Sequence, residues 1–189
     1  VRRSALISLS NLSDDRIRRA KHGQWWLDAP YRGLANNSAC YTEKPDFEAF
    51  LNEWSSLYES RSGERGFFSR VASQRQAAKN GRRDPDHEFG TNPCSEIILR
   101  PNQFCNLSEV VVRSDDTTEN LHRKVRLASI LGTLQATLTD FRYLRKKWKH
   151  NTEEEALLGV SMTGIQDCKL TNGVKNGLPD LLESLKQQA

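Results

Sequence analysis

The sequence predicts an α/β fold, on three observations. Short apolar runs suited to strands alternate with segments of helical period. The runs carry β-branched or aromatic residues, as in Ile97-Ile98-Leu99 and Val110-Val111-Val112. Pro, Gly and Asn fall at the joints between them.

Ser4-Ala5-Leu6-Ile7-Ser8-Leu9 reads as a first strand, with Arg2 and Arg3 ahead of it either in solvent or meeting a phosphate. Ser13 or Asp14 can cap a short helix over 15–21. Trp25 and Trp26 sit in a connector ending at Pro30, where such a pair more often covers core than stacks a base. Ala35–Tyr41 is a second extended segment, and its Asn36-Asn37-Ser38 is unusually polar for a core strand. Cys40, within it, reads as packing. Pro45 opens an amphipathic helix to about Glu59, with Phe47, Phe50, Leu51, Trp54, Leu57 and Tyr58 on a core-facing side. Phe67-Phe68 forms a short strand, and a helix runs from Ser69 to Lys79, ended by Asn80-Gly81. Residues 80–90 are a polar surface loop. Asp116 with Glu119 has the form of a capping box, opening a long helix from Thr117 to Lys147. Asn151 and Thr152 break that pattern, and Glu153–Glu155 begins another turn. Leu157 to Gly164 is a further buried strand, Cys168 lies beyond it, Asn172-Gly173 and Asn176-Gly177 mark turns, and Pro179–Ala189 is a terminal helix.

The 189 residues suffice for one domain with a substantial core. Apolar residues make up 37 % and charged residues 28 %, a soluble globular balance, and no apolar run reaches the roughly 18 residues of a membrane span. No signal peptide opens the chain; Val1-Arg2-Arg3 leads almost directly into a strand, which suggests a piece of a longer protein. Cysteines at 40, 94, 105 and 168 form no Cys-x-x-Cys pair, and the four histidines are scattered. A structural zinc site is not expected, and sparse thiols suit a reducing cytoplasm. The net charge is +4, with basic clusters at 61–83 and 142–149. These read either as an anion-binding surface, for nucleotide phosphate or nucleic acid, or as solvated helix faces.

The chemistry-bearing stretch is Thr91–Arg113. Pro93 disfavours a helical Asn92, so the approach to Cys94 is expected to be extended. Alternation would then put Asn92, Cys94 and Glu96 on one face, about 7 Å apart per two residues. That sets a thiol beside an amide and a carboxylate, with Cys105 eleven positions later. Spacing alone leaves two readings open, reactive thiols or cysteines buried beside strands, the second being the commoner.

Asn92-Pro93-Cys94-Ser95-Glu96-Ile97, followed by Phe104-Cys105-Asn106-Leu107-Ser108-Glu109-Val110, closely resembles the active-site finger loop of ribonucleotide reductases. The short interval between the cysteines resembles the adenosylcobalamin-dependent class. Val1–Ile7, Ala35-Asn36-Asn37-Ser38 and Leu158–Ile165 resemble its monomeric ribonucleoside-triphosphate reductase branch. The resemblance covers about residues 1–173. It implies that 1–189 is a single partial catalytic domain, the middle of a ten-stranded α/β barrel with the finger loop (about 91–105) inserted in it. It implies reduction of ribonucleoside triphosphates to deoxyribonucleotides by thiyl-radical chemistry, with adenosylcobalamin as cofactor, a dNTP as allosteric effector and a thioredoxin-type reductant. Cys94 matches the thiyl-radical cysteine, Glu96 the general base for the 3′-hydroxyl, Asn92 the amide that hydrogen-bonds substrate, and Cys105 one of two reducing thiols. The partner of Cys105, the phosphate-gripping segment, the cobalamin-binding residues and the effector site have no match here. The competing readings are a basic nucleic-acid-binding module and a non-catalytic remnant of the fold.

Overall fold

Parallel pairing dominates the computed structural model, which describes residues 6–79, 81–173 and 177–189. Val1–Ala5, Asn80 and residues 174–176 lie outside the described residues. With them lie the expected opening of the first strand, Arg2-Arg3, and the Asn of two expected turns. In chain order the elements are β1 (Leu6–Ser10), α1 (Asp15–Arg18), α2 (Trp25–Asp28), a 3-10 turn (Pro30–Leu34), β2 (Ala35–Tyr41), α3 (Phe47–Ser60), β3 (Gly66–Ser69) and α4 (Arg70–Ala78). Then come β4 (Gly90–Thr91), β5 (Ile98–Leu99), β6 (Asn106–Val111), α5 (Thr118–Ala136), α6 (Lys146–Glu155), β7 (Leu158–Thr163) and α7 (Leu178–Gln188). The chain divides into two compact units, Val1–Pro101 and Asn102–Ala189. The α/β class holds. The strands form three separate sheets, and no closed barrel occurs among the described residues.

In the first unit β2 is the central strand, parallel to β1 from Leu6 opposite Ala35 and to β3 from Ser38 opposite Gly66. Parallel neighbours need long crossovers, here carried by α1 with α2 and by α3. Asp14 caps α1, its side chain accepting from the Ile17 amide. Asp46 caps α3 by accepting from the Ala49 amide at 2.7 Å, so Pro45 precedes the cap rather than opening the first turn.

The expected core-facing side of α3 is not what the fold buries. Phe47 is 78 % and Trp54 52 % exposed, while Glu53 is buried. The reason is electrostatic. The Glu53 carboxylate accepts from Arg65 Nε (3.0 Å) and Nη2 (2.6 Å) and from Arg18 Nε (2.8 Å). Arg65, also buried, donates further to Ser10 Oγ (2.9 Å) and the Asn11 carbonyl (2.8 Å). A guanidinium out of water needs an anion, and α3 turns Glu53 inward to supply one. Phe50 and Trp54 remain beside the sheet, their rings 5.5 and 6.1 Å from that of Phe67.

In the second unit β6 and β7 pair in parallel from Asn106 opposite Leu158 to Val111 opposite Thr163. Helix α5 covers them with Leu121, Val125 and Ala128, in a core completed by Val110, Val112, Cys168 and Leu185. Thr117, not Asp116, caps α5, accepting from the Asn120 amide at 3.2 Å. Asp116 instead accepts from Lys124 Nζ (2.5 Å) and the Arg113 amide (2.8 Å), and these bonds, that from Lys124 foremost, hold its carboxyl below the usual range. The expected single helix to Lys147 is two. α5 stops at Ala136 and α6 starts at Lys146. Thr137 returns its hydroxyl to the Leu134 carbonyl, and Thr139 donates to Glu153. Ser129 and Thr133 make return bonds of the same kind inside α5, so it is the Thr139 bond to Glu153 of α6 that marks where the chain leaves the helix. Beyond that point Phe141 meets the Phe104 ring at 5.1 Å.

Two expectations follow. Burial raises the Glu53 pKa, but the hydrogen bonds from Arg65 and Arg18 outweigh it and hold the carboxyl below its ordinary 4.5. A depressed carboxyl stabilises the fold above its unfolded value and loses that contribution as pH falls through the folded one. Urea unfolding followed from pH 7 downward should therefore show stability falling below about pH 4.5. Glu53→Gln should cost about 3–5 kcal/mol at pH 7, by leaving Arg65 buried without its counter-charge, and should flatten that decline; a variant as stable as the parent would contradict this account. In the second unit, Gly164 follows β7 at φ 74°, and a Cβ there would strike the Val112 carbonyl oxygen. Gly164→Ala should lower stability by about 2 kcal/mol, combining left-handed strain with that overlap.

Candidate active site

Strands β4 and β5 form an antiparallel hairpin, with Gly90 opposite Leu99 and Thr91 opposite Ile98. The loop between them, 92–97, carries three of the four expected site residues. Asn92 closes it from both sides. Its amide donates to the Ile97 carbonyl (3.4 Å), and its Oδ1 accepts from the Ile97 amide (3.0 Å) and Thr91 Oγ1 (3.3 Å). The Ser95 amide donates back to the Asn92 carbonyl at 3.0 Å. That makes Asn92–Ser95 a β-turn, with Pro93 in the second position its fixed φ favours and Cys94 third. Ser95 takes a positive φ of 66° and sends the chain toward β5. The expected extended approach is therefore replaced by a turn, and the face-sharing argument for Asn92, Cys94 and Glu96 does not apply. The three still share one short loop. Cys94 and Glu96 are exposed, while the side chain of Asn92 is partly occupied in closing the loop, its Nδ2 making no hydrogen bond to the described residues.

The hairpin is tied to the rest of the first unit through its backbone. Asn36 of β2 donates from Nδ2 to the Pro93 carbonyl at 2.5 Å. Arg70 Nε donates to the Phe89 carbonyl (2.9 Å), Gln74 Nε2 to the His87 carbonyl (3.4 Å) and Arg83 Nη1 to the Ile98 carbonyl (3.1 Å). Arg83 also lies over the Phe89 ring. Three cations of the 61–83 cluster, Arg65, Arg70 and Arg83, thus bond inside the fold. None of these contacts is written in the spacing of the sequence. The one signal for Asn36 is the misplaced polarity of Asn36-Asn37-Ser38. On the same strand, burial pushes the Cys40 thiol up, partly offset by the Arg70 charge.

Cys105 belongs to the second unit, just before β6. Its loop is fixed by the Phe104 amide donating to Thr152 Oγ1 (3.2 Å) and by Gln103 Nε2, which donates to the Asn151 carbonyl and to Glu155. With Phe104, Leu138 and Phe141, Cys105 lines a largely apolar cleft of about 650 Å³. Cys40, Cys94, Cys105 and Cys168 are all thiols rather than disulfides. Among the described residues no group of three His, Cys, Asp or Glu side chains could hold a metal ion, and no helix is long and apolar enough to cross a membrane.

Across 182 residues the chain is 32 % identical to the adenosylcobalamin-dependent ribonucleoside-triphosphate reductase of Lacticaseibacillus paracasei. The chain is a distant, partial relative of that reductase. The match takes in 91 % of this chain but 22 % of the relative, so the chain spans about a fifth of that protein's length. No family model matches the chain.

The exposures rank the thiols. Cys94 is exposed, Cys40 and Cys105 are half-buried, and Cys168 is 1 % exposed against the Asp116 carbonyl. Under native conditions with limiting iodoacetamide, mass spectrometry should find Cys94 labelled first and Cys168 last, Cys168 reacting readily only in denaturant. Equal native rates at Cys94 and Cys168 would refute the packing around Cys168.

Proposed function

We propose that this chain is part of the catalytic domain of an adenosylcobalamin-dependent ribonucleotide reductase acting on ribonucleoside triphosphates. The observation that carries the reading is the closed Asn92–Ile97 loop, which presents Cys94 at an exposed turn beside Glu96. The similarity over 91 % of the chain supports it. On this reading 1–189 is one stretch of a ten-stranded α/β barrel, with residues 91–105 as its finger loop, in a cytoplasmic enzyme.

The roles of the side chains follow from their chemistry. As a thiyl radical, Cys94 takes the 3′-hydrogen of the ribose; an S–H bond forms as a C–H bond of similar strength breaks, so the step is reversible. Glu96 accepts the 3′-hydroxyl proton, as a carboxylate placed within hydrogen-bond reach of it can. Asn92 has Nδ2 left to donate to substrate while Oδ1 holds the loop. The 2′-hydroxyl takes a proton from one of the two reducing thiols and leaves as water, and Cys94 finally returns the hydrogen to the 3′ carbon. Cys105 and a second thiol, for which this chain offers no assigned candidate, supply two electrons and end as a disulfide that a thioredoxin-type reductant resets. Adenosylcobalamin would supply the initiating radical. The described residues offer no cradle or donor set that can be matched to it, and the dNTP effector has no assigned residues either. The nucleic-acid reading loses force, because three cations of its first cluster are engaged inside the fold.

The test separates the two thiols in the full-length context. Cys94→Ser replaces S–H by a much stronger O–H bond, so 3′-label exchange and deoxynucleotide formation should both vanish. Cys105→Ser should keep 3′-exchange while clean reduction fails and the sugar radical decays with base loss. Normal turnover by Cys94→Ser, or identical 3′ chemistry in both variants, would sink the assignment.

A further inference from the structure

The polar patch in the middle of a core strand points to hardware for the Cys94 loop. Asn36 lies on β2, opposite Ile7 of β1. Its side chain donates from Nδ2 to the carbonyl of Pro93, the residue immediately before the thiol. Within the turn, the carbonyl of Asn92 is taken by the Ser95 amide and its Oδ1 by the Ile97 amide. The Pro93 carbonyl is thus held from outside the hairpin, by a side chain of the sheet's central strand. Pro93 has no amide hydrogen to donate, so its carbonyl is the only backbone group through which that residue can be gripped. We infer that Asn36 is a positioning residue, an amide latch that docks the Cys94-bearing turn onto β2 and fixes where the thiol stands. The opposite partner tie comes from Arg83 on the Ile98 carbonyl, at the far side of the loop. Between these two donors the six-residue loop has little freedom to lift, which is the condition a precisely aimed radical or nucleophilic thiol requires. The value of the latch to catalysis rests on the reductase reading; the latch itself does not.

The experiment needs neither substrate nor cofactor. Amide hydrogen exchange is followed in the 189-residue chain at Ser95 and Ile97, whose N–H groups are bonded only while the loop is closed, with Ala39 of β2 and Val125 of α5 as references. Asn36→Ala removes the donor. Protection at Ser95 and Ile97 should fall on the order of threefold to tenfold, as for loss of one part-buried hydrogen bond, with the references unchanged. Asn36→Asp supplies a signature that general loosening would not give. Its ionised carboxylate faces the Pro93 carbonyl with no donor, but its protonated form regains an O–H. Protection relative to the parent should therefore be near normal below about pH 4 and fall as pH rises through the carboxyl range, whereas the Asn36→Ala deficit should not depend on pH. If Asn36→Ala also loosens the references, the pH dependence of Asn36→Asp at Ser95 and Ile97 decides alone. Protection in Asn36→Asp that stays at the parental level at all pH values, or is reduced equally at all of them, overturns the proposal. Failure of the 3′-exchange test would leave this result standing, and the reverse.

Discussion

A single carboxylate organises the first unit. Glu53 receives both Arg65 and Arg18, and Arg65 in turn binds the chain leaving β1. One side chain of α3 therefore joins α1, the exit of β1 and the entry to β3, the elements that flank and cross over β2. Removing Glu53 would strand the buried Arg65 charge without its counter-ion, whereas without Arg18 the Glu53–Arg65 pair would remain. The Tyr41 phenol nearby is pushed up in pKa by burial, with the Glu53 charge adding to it, and its hydroxyl finds no hydrogen-bond partner among the described residues.

What the cluster secures is β2, and β2 holds the loop through Asn36. The hairpin itself is two residues per strand, too short to stand unaided. Its order comes from side chains that reach its backbone from β2, α4 and the loop after α4. This is the usual division between a rigid scaffold and a reactive loop, with the loop's polar backbone satisfied by donors from the scaffold. It also explains why polar residues occupy a strand position where apolar ones would pack better, and why arginines that read as a basic surface are consumed internally.

The second unit is built by a different rule. Its β6–β7 ladder and α5 close an apolar core in which Val110, Val112, Leu121 and Val125 alternate with exposed residues at the strand and helix periods. Cys168 is sealed into that core, whereas Cys105 sits on the edge of a cleft. Two thiols of the same unit thus differ in burial through packing alone.

Local pattern sufficed where a short-range rule has one answer. The runs expected at 4–9, 67–68, 110–112 and 157–164 overlap strands, Asp14 became a cap, and helices begin close to Ser69 and Thr117, since period and capping are written within a few residues, though the cap of α5 is Thr117 rather than the expected Asp116. The family resemblance likewise came from residue order, and the reductase relative supports it as a distant, partial similarity. Three matters were settled only in three dimensions. The inward face of α3 was decided by Arg18 and Arg65, distant charges that outbid its aromatic residues. The end of α5 is marked by Thr139, whose partner Glu153 lies on α6, 14 positions away. The form of the Cys94 loop was decided by Asn92 bonding across to Ile97 and by Asn36 reaching Pro93 from 57 positions away. Sequence fixes which groups exist and their local preferences; a hydrogen bond between distant residues depends on the fold that brings them together, and that is where the placement of this thiol resides.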